Sequence, residues 1–176
     1  ALALADQGLA LDELQTRQPE LVAELLQVRG LANLYRGDDP AAHADLQRAI
    51  EISVQAASRR VEGIVHGTLA LAHQRAGRPA AARESYRAAI AAGEAAGDVG
   101  SVANARLNLG TLAWSEGDLA TALSEFEAAA DLARRVLRHP IVERALINLG
   151  IVDLSLGRHA RVAATLHALE SLSGQL

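Results

Sequence analysis

Histidines, carboxylates and hydroxyls are the side chains with which a chain lacking cysteine can do chemistry, and here their spacing supports little of it. His66 and His73 are seven residues apart and His159 and His167 eight, so each pair can share one face of a helix. A zinc site needs about two further ligands and an outer shell to orient them. No such set is evident, and these histidines read as surface or packed residues. Asp153, Ser155 and His159 fall near one helical turn, but nothing supplies an oxyanion hole or a strained nucleophile elbow. Glu125 and Glu127 are two apart on a predicted helix and point to different faces, a poor acid–base pair. Gly93, Gly97 and Gly100 form a loose series with no preceding strand and no following Gly-Lys-Ser/Thr, so no phosphate loop is present. With no Cys, thiolate metal sites, disulfides and cysteine nucleophiles are excluded. The reading assigns no catalytic, cofactor or metal residue and expects no enzyme.

The elements that carry these residues are simple in composition. Of 176 residues, half are hydrophobic, yet only 2% are aromatic, and 38 are Ala. All 17 basic residues are Arg. A net charge of -4 argues against a nucleic-acid partner, which normally meets a basic field. No run of about 18 apolar residues suggests a membrane span, and no signal peptide opens the chain, so a cytoplasmic protein is expected. Arg without Lys, with abundant Ala and Gly, is what the codons of a GC-rich bacterial genome produce. The absence of Met, even at position 1, suggests a piece of a longer chain.

A gapless 40-residue period organises the chain. Gly37, Gly77, Gly117 and Gly157 recur at that spacing. Gly30, Ala70, Gly110 and Gly150 form a small-residue column, and Ala42, Ala82, Ala122 and Val162 a second. Leu46, Tyr86, Phe126 and Leu166 form a large apolar column. Ala49, Ala89, Ala129 and Leu169 form a fourth column, and Ile52, Ala92, Leu132 and Leu172 a fifth.

Each unit reads as two helices. Apolar residues recur at spacings of three and four on both sides of the glycine column, as in Val102, Leu109, Leu112 and Ala113, then Ala122, Leu123, Phe126 and Ala129. Glycine takes the left-handed conformation that ends the first helix, and Asp118, or Asp38 or Asp39 in the first unit, caps the second. Pro19, Pro40, Pro79 and Pro140 all fall at predicted helix starts, where a missing N–H costs nothing. Arg17, Arg59, Arg60, Arg134, Arg135 and Arg138 are expected at the ends of second helices, complementing the dipole. Alternatively, Arg134, Arg135 and Arg138 form a binding patch. Where two helices cross closely only Gly or Ala fits, and large residues of the partner helix fill the space.

These columns resemble the tetratricopeptide repeat. Leu109-Gly110, Gly117-Asp118, Ala122, Phe126 and Ala129 match its Leu-Gly pair, turn glycine, second-helix Ala, aromatic and later Ala, and Leu149-Gly150 with Gly157 repeats the match. The 40-residue spacing resembles the longer variety found in kinesin light chains and bacterial signalling proteins. Departures fall at the ends: Arg29 stands for Leu in the first unit, and Leu166 and Leu169 fill the aromatic and small positions of the last. The resemblance implies an all-α, right-handed α-solenoid of stacked helix-turn-helix hairpins, with repeats of about 20–59, 60–99, 100–139 and 140–176. Residues 1–18 align with the second helix of a truncated preceding repeat, for about nine helices in all. Uncapped ends would expose apolar surface and favour self-association or flanking chain.

The resemblance also implies a site. First helices of the family line an inner, concave surface that binds peptides or protein segments. In longer repeats an Asn just before Leu-Gly commonly bonds the bound backbone. Asn108 and Asn148 fill that position, with Thr68 in the second repeat and Val28 in the first. A carboxamide can both donate to and accept from a peptide unit; the other reading is that each bonds a neighbouring helix. Positions one turn away share that face, among them Tyr35, Arg75, Asn104, Thr111, Trp114 and Arg144. Trp114 is the anchor candidate, since Trp is enriched at interface hot spots. Arg75, Arg106 and Arg144 suit an acidic partner. The expected protein is a binding scaffold or regulatory module of a larger bacterial signalling protein, of the transcription-regulator or Ser/Thr-kinase type. Its partner is a protein, a peptide or the parent's own domains, with no nucleic acid and no membrane. The alternative is a sensor for a small signalling peptide.

Overall fold

The structure, a computed structural model, describes residues 17–173. It is all-α, of the stacked-hairpin solenoid class. Among the described residues there are eight helices: α1 (Pro19–Arg36), α2 (Asp39–Gln55), α3 (Arg59–Arg75), α4 (Pro79–Ala96), α5 (Val99–Ser115), α6 (Leu119–Arg135), α7 (His139–Ser155) and α8 (His159–Ser173). The ninth expected helix, over 1–18, lies almost wholly outside the described residues. The chain divides into two compact units, Ala1–Asp98 and Val99–Leu176. In the first, α1 packs on α2, α3 on α4, and α3 against both helices of the preceding hairpin. In the second, α5 packs on α6, α7 on α8, and α7 against α5 and α6.

Local chemistry sets the helix ends. Gly37, Gly77, Gly117 and Gly157 all have positive φ, between 67° and 82°. Asp38 accepts the amide of Ala41 at 3.2 Å and Asp118 that of Thr121 at 3.0 Å, each satisfying an orphan donor of a first turn. All four prolines sit in the first two positions of α1, α2, α4 and α7. Arg134 and Arg135 close α6 as the dipole favours. Arg59, Arg60 and Arg138 do not close helices. Arg59 and Arg60 open α3, and Arg138 is the N-cap of α7. Carboxylates explain the first two: Arg59 pairs with Glu62 at 2.7 Å, and Arg60 with Glu24.

The cores are made by the repeat columns. Leu46, Tyr86 and Phe126 are fully buried, as are Ala42, Ala82 and Ala122 one turn earlier. A methyl added to Gly30 would lie 2.9 Å from Leu46 Cγ, and one added to Gly110 would lie 2.7 Å from the Phe126 ring. The large side chain thus lies directly on the backbone of the facing helix. Full burial of each such side chain contributes about 1.5–3 kcal/mol.

The last hairpin departs from this pattern. Leu166 is 56% exposed, and the nearest atom to a methyl on Gly150 would be Thr165 Cγ2, at 3.6 Å. Its small-residue column carries Val162 where the other hairpins have Ala42, Ala82 and Ala122. An ionic latch holds α8 in another way. The carboxylate of Asp153 is buried, and it accepts from Arg161 Nε at 2.8 Å and from Arg158 Nη1 at 3.4 Å. Arg161 also donates to Glu127 of α6 at 2.6 Å.

Among the described residues, each other hairpin carries a polar clamp between its two helices. Arg29 donates to both oxygens of Asp45, at 2.9 and 2.6 Å, and Asn33 adds a bond at 3.2 Å. Tyr86 donates to Gln74 at 3.0 Å. Arg106 donates to Glu125 at 3.0 Å. Burial pushes the Tyr86 hydroxyl up to about 12.

Two outcomes follow. Gly110→Ala is expected to destabilise the protein by about 1–3 kcal/mol through overpacking against Phe126. Gly150→Ala is expected to stabilise it by up to about 1 kcal/mol, because a methyl there makes ordinary contact and Ala favours the helix. Urea unfolding followed by circular dichroism at 222 nm compares the two. The second outcome concerns alkali. The folded state holds the Tyr86 proton up to about pH 12, whereas an unfolded Tyr loses it near 10. Stability from this group is full below pH 10 and is lost as pH rises from 10 to 12, by roughly 2 kcal/mol. No Lys or Cys titrates in that window, since the chain has neither. Thermal melts across it should show the decline in the native protein and a flatter profile for Tyr86→Phe.

Candidate partner-binding face

In the second unit the expected face is built by α5 and α7, which pack side by side. Asn104, Asn108 and Thr111 follow one another at helical spacing on α5, and Arg144, Asn148 and Ile151 do so on α7. Equivalent positions therefore lie on equivalent faces of neighbouring helices. Asn104 and Arg144 are exposed, and Asn108, Thr111 and Asn148 are half-buried. The carboxamides of Asn104, Asn108 and Asn148 make no hydrogen bond among the described residues. Thr111 donates to the Leu107 carbonyl at 3.0 Å, a bond within its own helix. Apolar side chains stand exposed beside these amides: Trp114, Ile147 and Ile151 are 37%, 43% and 41% exposed.

The first unit has a different character. Thr68 is buried, and its hydroxyl accepts from Gln27 Nε2 at 2.8 Å and donates to the Ile64 carbonyl at 3.2 Å. It joins α1 to α3. Arg75 lies over the ring of Tyr35, 5.5 Å from its centroid, a cation–π contact at the ends of those helices. Tyr35 remains 67% exposed. Arg106, expected to face an acidic partner, is instead taken by Glu125 within its hairpin.

Most residues weighed for chemistry have structural partners, whereas the buried Nδ1 of His66 has no hydrogen-bond partner among the described residues. Asp153 is held by Arg158 and Arg161, and Ser155 donates to the Val152 carbonyl of its own helix at 2.7 Å. Glu125 and Glu127 are bonded to Arg106 and Arg161. His73 packs against His43, ring centroids 5.6 Å apart, and burial lowers the pKa of both His66 and His73. Among the described residues no three His, Asp or Glu converge as metal ligands. No helix among them is long and apolar enough to cross a membrane.

The clamps Arg29–Asp45, Arg106–Glu125 and Asp153–Arg161 escape a reading by apolar columns. The signal available was a charge inside such a column, as with Arg29 in place of the Leu before Gly30.

Comparisons with known proteins bear on the same repeats. Residues 101–167 match the tetratricopeptide-repeat family model. No curated protein sequence matches the chain. Among solved structures, BtubC (BKLC) from P. vanneervenii superposes with a TM-score of 0.83 at 19% identity, over 98% of this chain and 72% of that one. Aspartyl phosphate phosphatase F from Bacillus subtilis gives 0.82 at 15% identity, over 90% of this chain and 42% of that one. A putative kinesin light chain of Podosopora anserina with nearly identical tetratricopeptide-like repeats gives 0.70 at 16% identity, over 99% and 86%. At these identities the likeness is one of fold. The family's model thus covers α5–α8, while α1–α4 share with them the column geometry and the fold of tetratricopeptide-repeat structures.

Proposed function

We propose that this protein is a peptide- or protein-binding module of a larger bacterial signalling protein, a transcription regulator or Ser/Thr kinase, working in the cytoplasm. The observation that carries the reading is the pair of unbonded carboxamides, Asn108 and Asn148, at equivalent positions of α5 and α7 beside exposed Trp114, Ile147 and Ile151. An extended segment offers alternating N–H and C=O groups, and two carboxamides one helix apart suit two of its peptide units. The apolar neighbours suit its side chains. Asn104, Thr111 and Arg144 border the same face, and Arg144 favours a carboxylate on the partner. Tyr35, Arg75 and Thr68 belong to the first unit. There Tyr35 and Arg75 offer an exposed aromatic–cation surface, and Thr68 braces the helices behind it. A short signalling peptide is the narrower form of this ligand. A folded partner would spread its contacts and depend little on two amides.

Peptides selected from a displayed library on the intact chain supply the ligand for the test. Asn108→Ala combined with Asn148→Ala is expected to weaken their binding by about tenfold, two lost hydrogen bonds at about 0.5–1.5 kcal/mol each. The melting temperature should stay at the native value. Fluorescence anisotropy reads the first and calorimetry the second. Native affinity in the double variant would remove the peptide-capture reading.

A further inference from the structure

Among the described residues, only the turn between α6 and α7 places a large apolar side chain at a positive φ. Leu137 has φ 54°, in the left-handed region, and its side chain is 74% exposed. One repeat earlier the same position is Gly97, which adopts φ 68°. A non-glycine residue there costs about 1–2 kcal/mol. Ala57 bears that cost with a single methyl, whereas Leu137 adds a large apolar side chain left in water. Gly would serve both the backbone and solubility better. Strain combined with exposure points to a role outside folding.

The surroundings give that role a chemistry. A cleft of about 340 Å³ opens beside the turn, wholly within the second unit. Its apolar wall is Leu137, Val142, Leu146 and Leu172, and Arg134 and His139 border it. From 134 to 139 the chain carries Arg134, Arg135, Arg138 and His139 and no acid, against a net charge of -4 for the whole. Arg134 is paired with Asp131 at 2.9 Å, while Arg135 and Arg138 form no ion pair among the described residues. The size and lining suit a large apolar side chain entering from outside.

We infer that this corner is a docking site for an acidic segment carrying a large apolar side chain. The side chain fills the cleft against Leu137 and Leu146, and flanking carboxylates meet Arg135 and Arg138. A concavity is filled by a projecting partner residue, whereas a bilayer would need only the projecting Leu137, so the cleft favours a peptide. None of the residues proposed above for peptide capture lines this cleft. The two sites are therefore separable.

The test uses the intact chain and an array of short peptides that place Leu, Phe or Trp among Asp and Glu residues, with Lys-substituted counterparts. Acidic peptides should bind, shifting amide resonances of 134–146 and 168–172, and the Lys counterparts should not. Leu137→Gly should weaken binding by about tenfold or more, the loss of a hot-spot contact, while its melting temperature holds or rises as strain is relieved. Arg135→Glu with Arg138→Glu should weaken it similarly, and Asn108→Ala with Asn148→Ala should leave it unchanged. Native affinity in Leu137→Gly, or equal binding of the Lys peptides, overturns the inference. So does a dimer in sedimentation that Leu137→Gly dissolves, which would make the occupant a second copy. Flotation with phosphatidylglycerol vesicles in the absence of peptide binding would overturn it in favour of a membrane surface.

Discussion

In the α1–α2 and α5–α6 hairpins two backbones approach until a side chain of one helix rests on the main chain of the other. Phe126 on Gly110 and Leu46 on Gly30 are the clearest cases. Gly63 shows the same limit without a large partner, since a methyl there would meet the Ala89 carbonyl and the Gly93 nitrogen at 3.2 Å. The alanine-rich, aromatic-poor composition follows from this one requirement. A bulky residue is tolerated once per layer, and its neighbours must be small. The close crossing also gives α5 and α7 their orientation. With Leu109 and Leu149 committed to the core, the preceding Asn108 and Asn148 are turned about 100° away from it and are half-buried.

A second set of contacts is polar and works where the apolar fit is incomplete. The Arg29 guanidinium holds Asp45 with two parallel bonds, a geometry that fixes angle as well as distance. Asp153 goes further. Its carboxylate is buried beneath two half-exposed arginines, and the α8 start is placed by that charge and not by Leu166. Removing a partner from such a pair leaves a charge without compensation, which is why clamps of this kind resist single changes. They also withdraw residues from function. Arg106, Thr68, Asp153 and Glu125 carry the right groups for a ligand or a reaction and spend them on neighbouring helices.

The α6–α7 turn stands apart from both patterns. Ala57, Gly97 and Leu137 adopt one backbone conformation with three different side chains, so the fold demands the left-handed geometry and leaves the residue open. The large apolar choice at 137 brings a side chain to the rim of a cleft that the loosely packed α8 leaves behind. The departure of the last hairpin from the column pattern and the character of this turn are linked in space.

Much of the architecture was legible in the residues. The 40-residue period, the glycine turns and the prolines at helix starts follow from rules that act within a few residues, so periodicity alone carries them to the right helices. The equivalence of Asn108 and Asn148 follows from the same period, because both precede the Leu-Gly pair of their repeats. Other features depend on groups 12 to 41 residues apart, such as Asn33 with Asp45 and Gln27 with Thr68. Local pattern contains no information about which polar groups meet across a helix crossing. Arg59 and Arg60 read as helix-ending cations until Glu62 and Glu24 were seen to hold them at the start of α3. Leu166 reads as core from its column but stands exposed, on a helix whose start is tied to the buried Asp153 by Arg161. The sequence by itself determined the helices, their ends and their repeat. Only the tertiary structure decided which polar side chains are consumed in holding helices together and which remain free, because that depends on distances between elements that no local rule specifies.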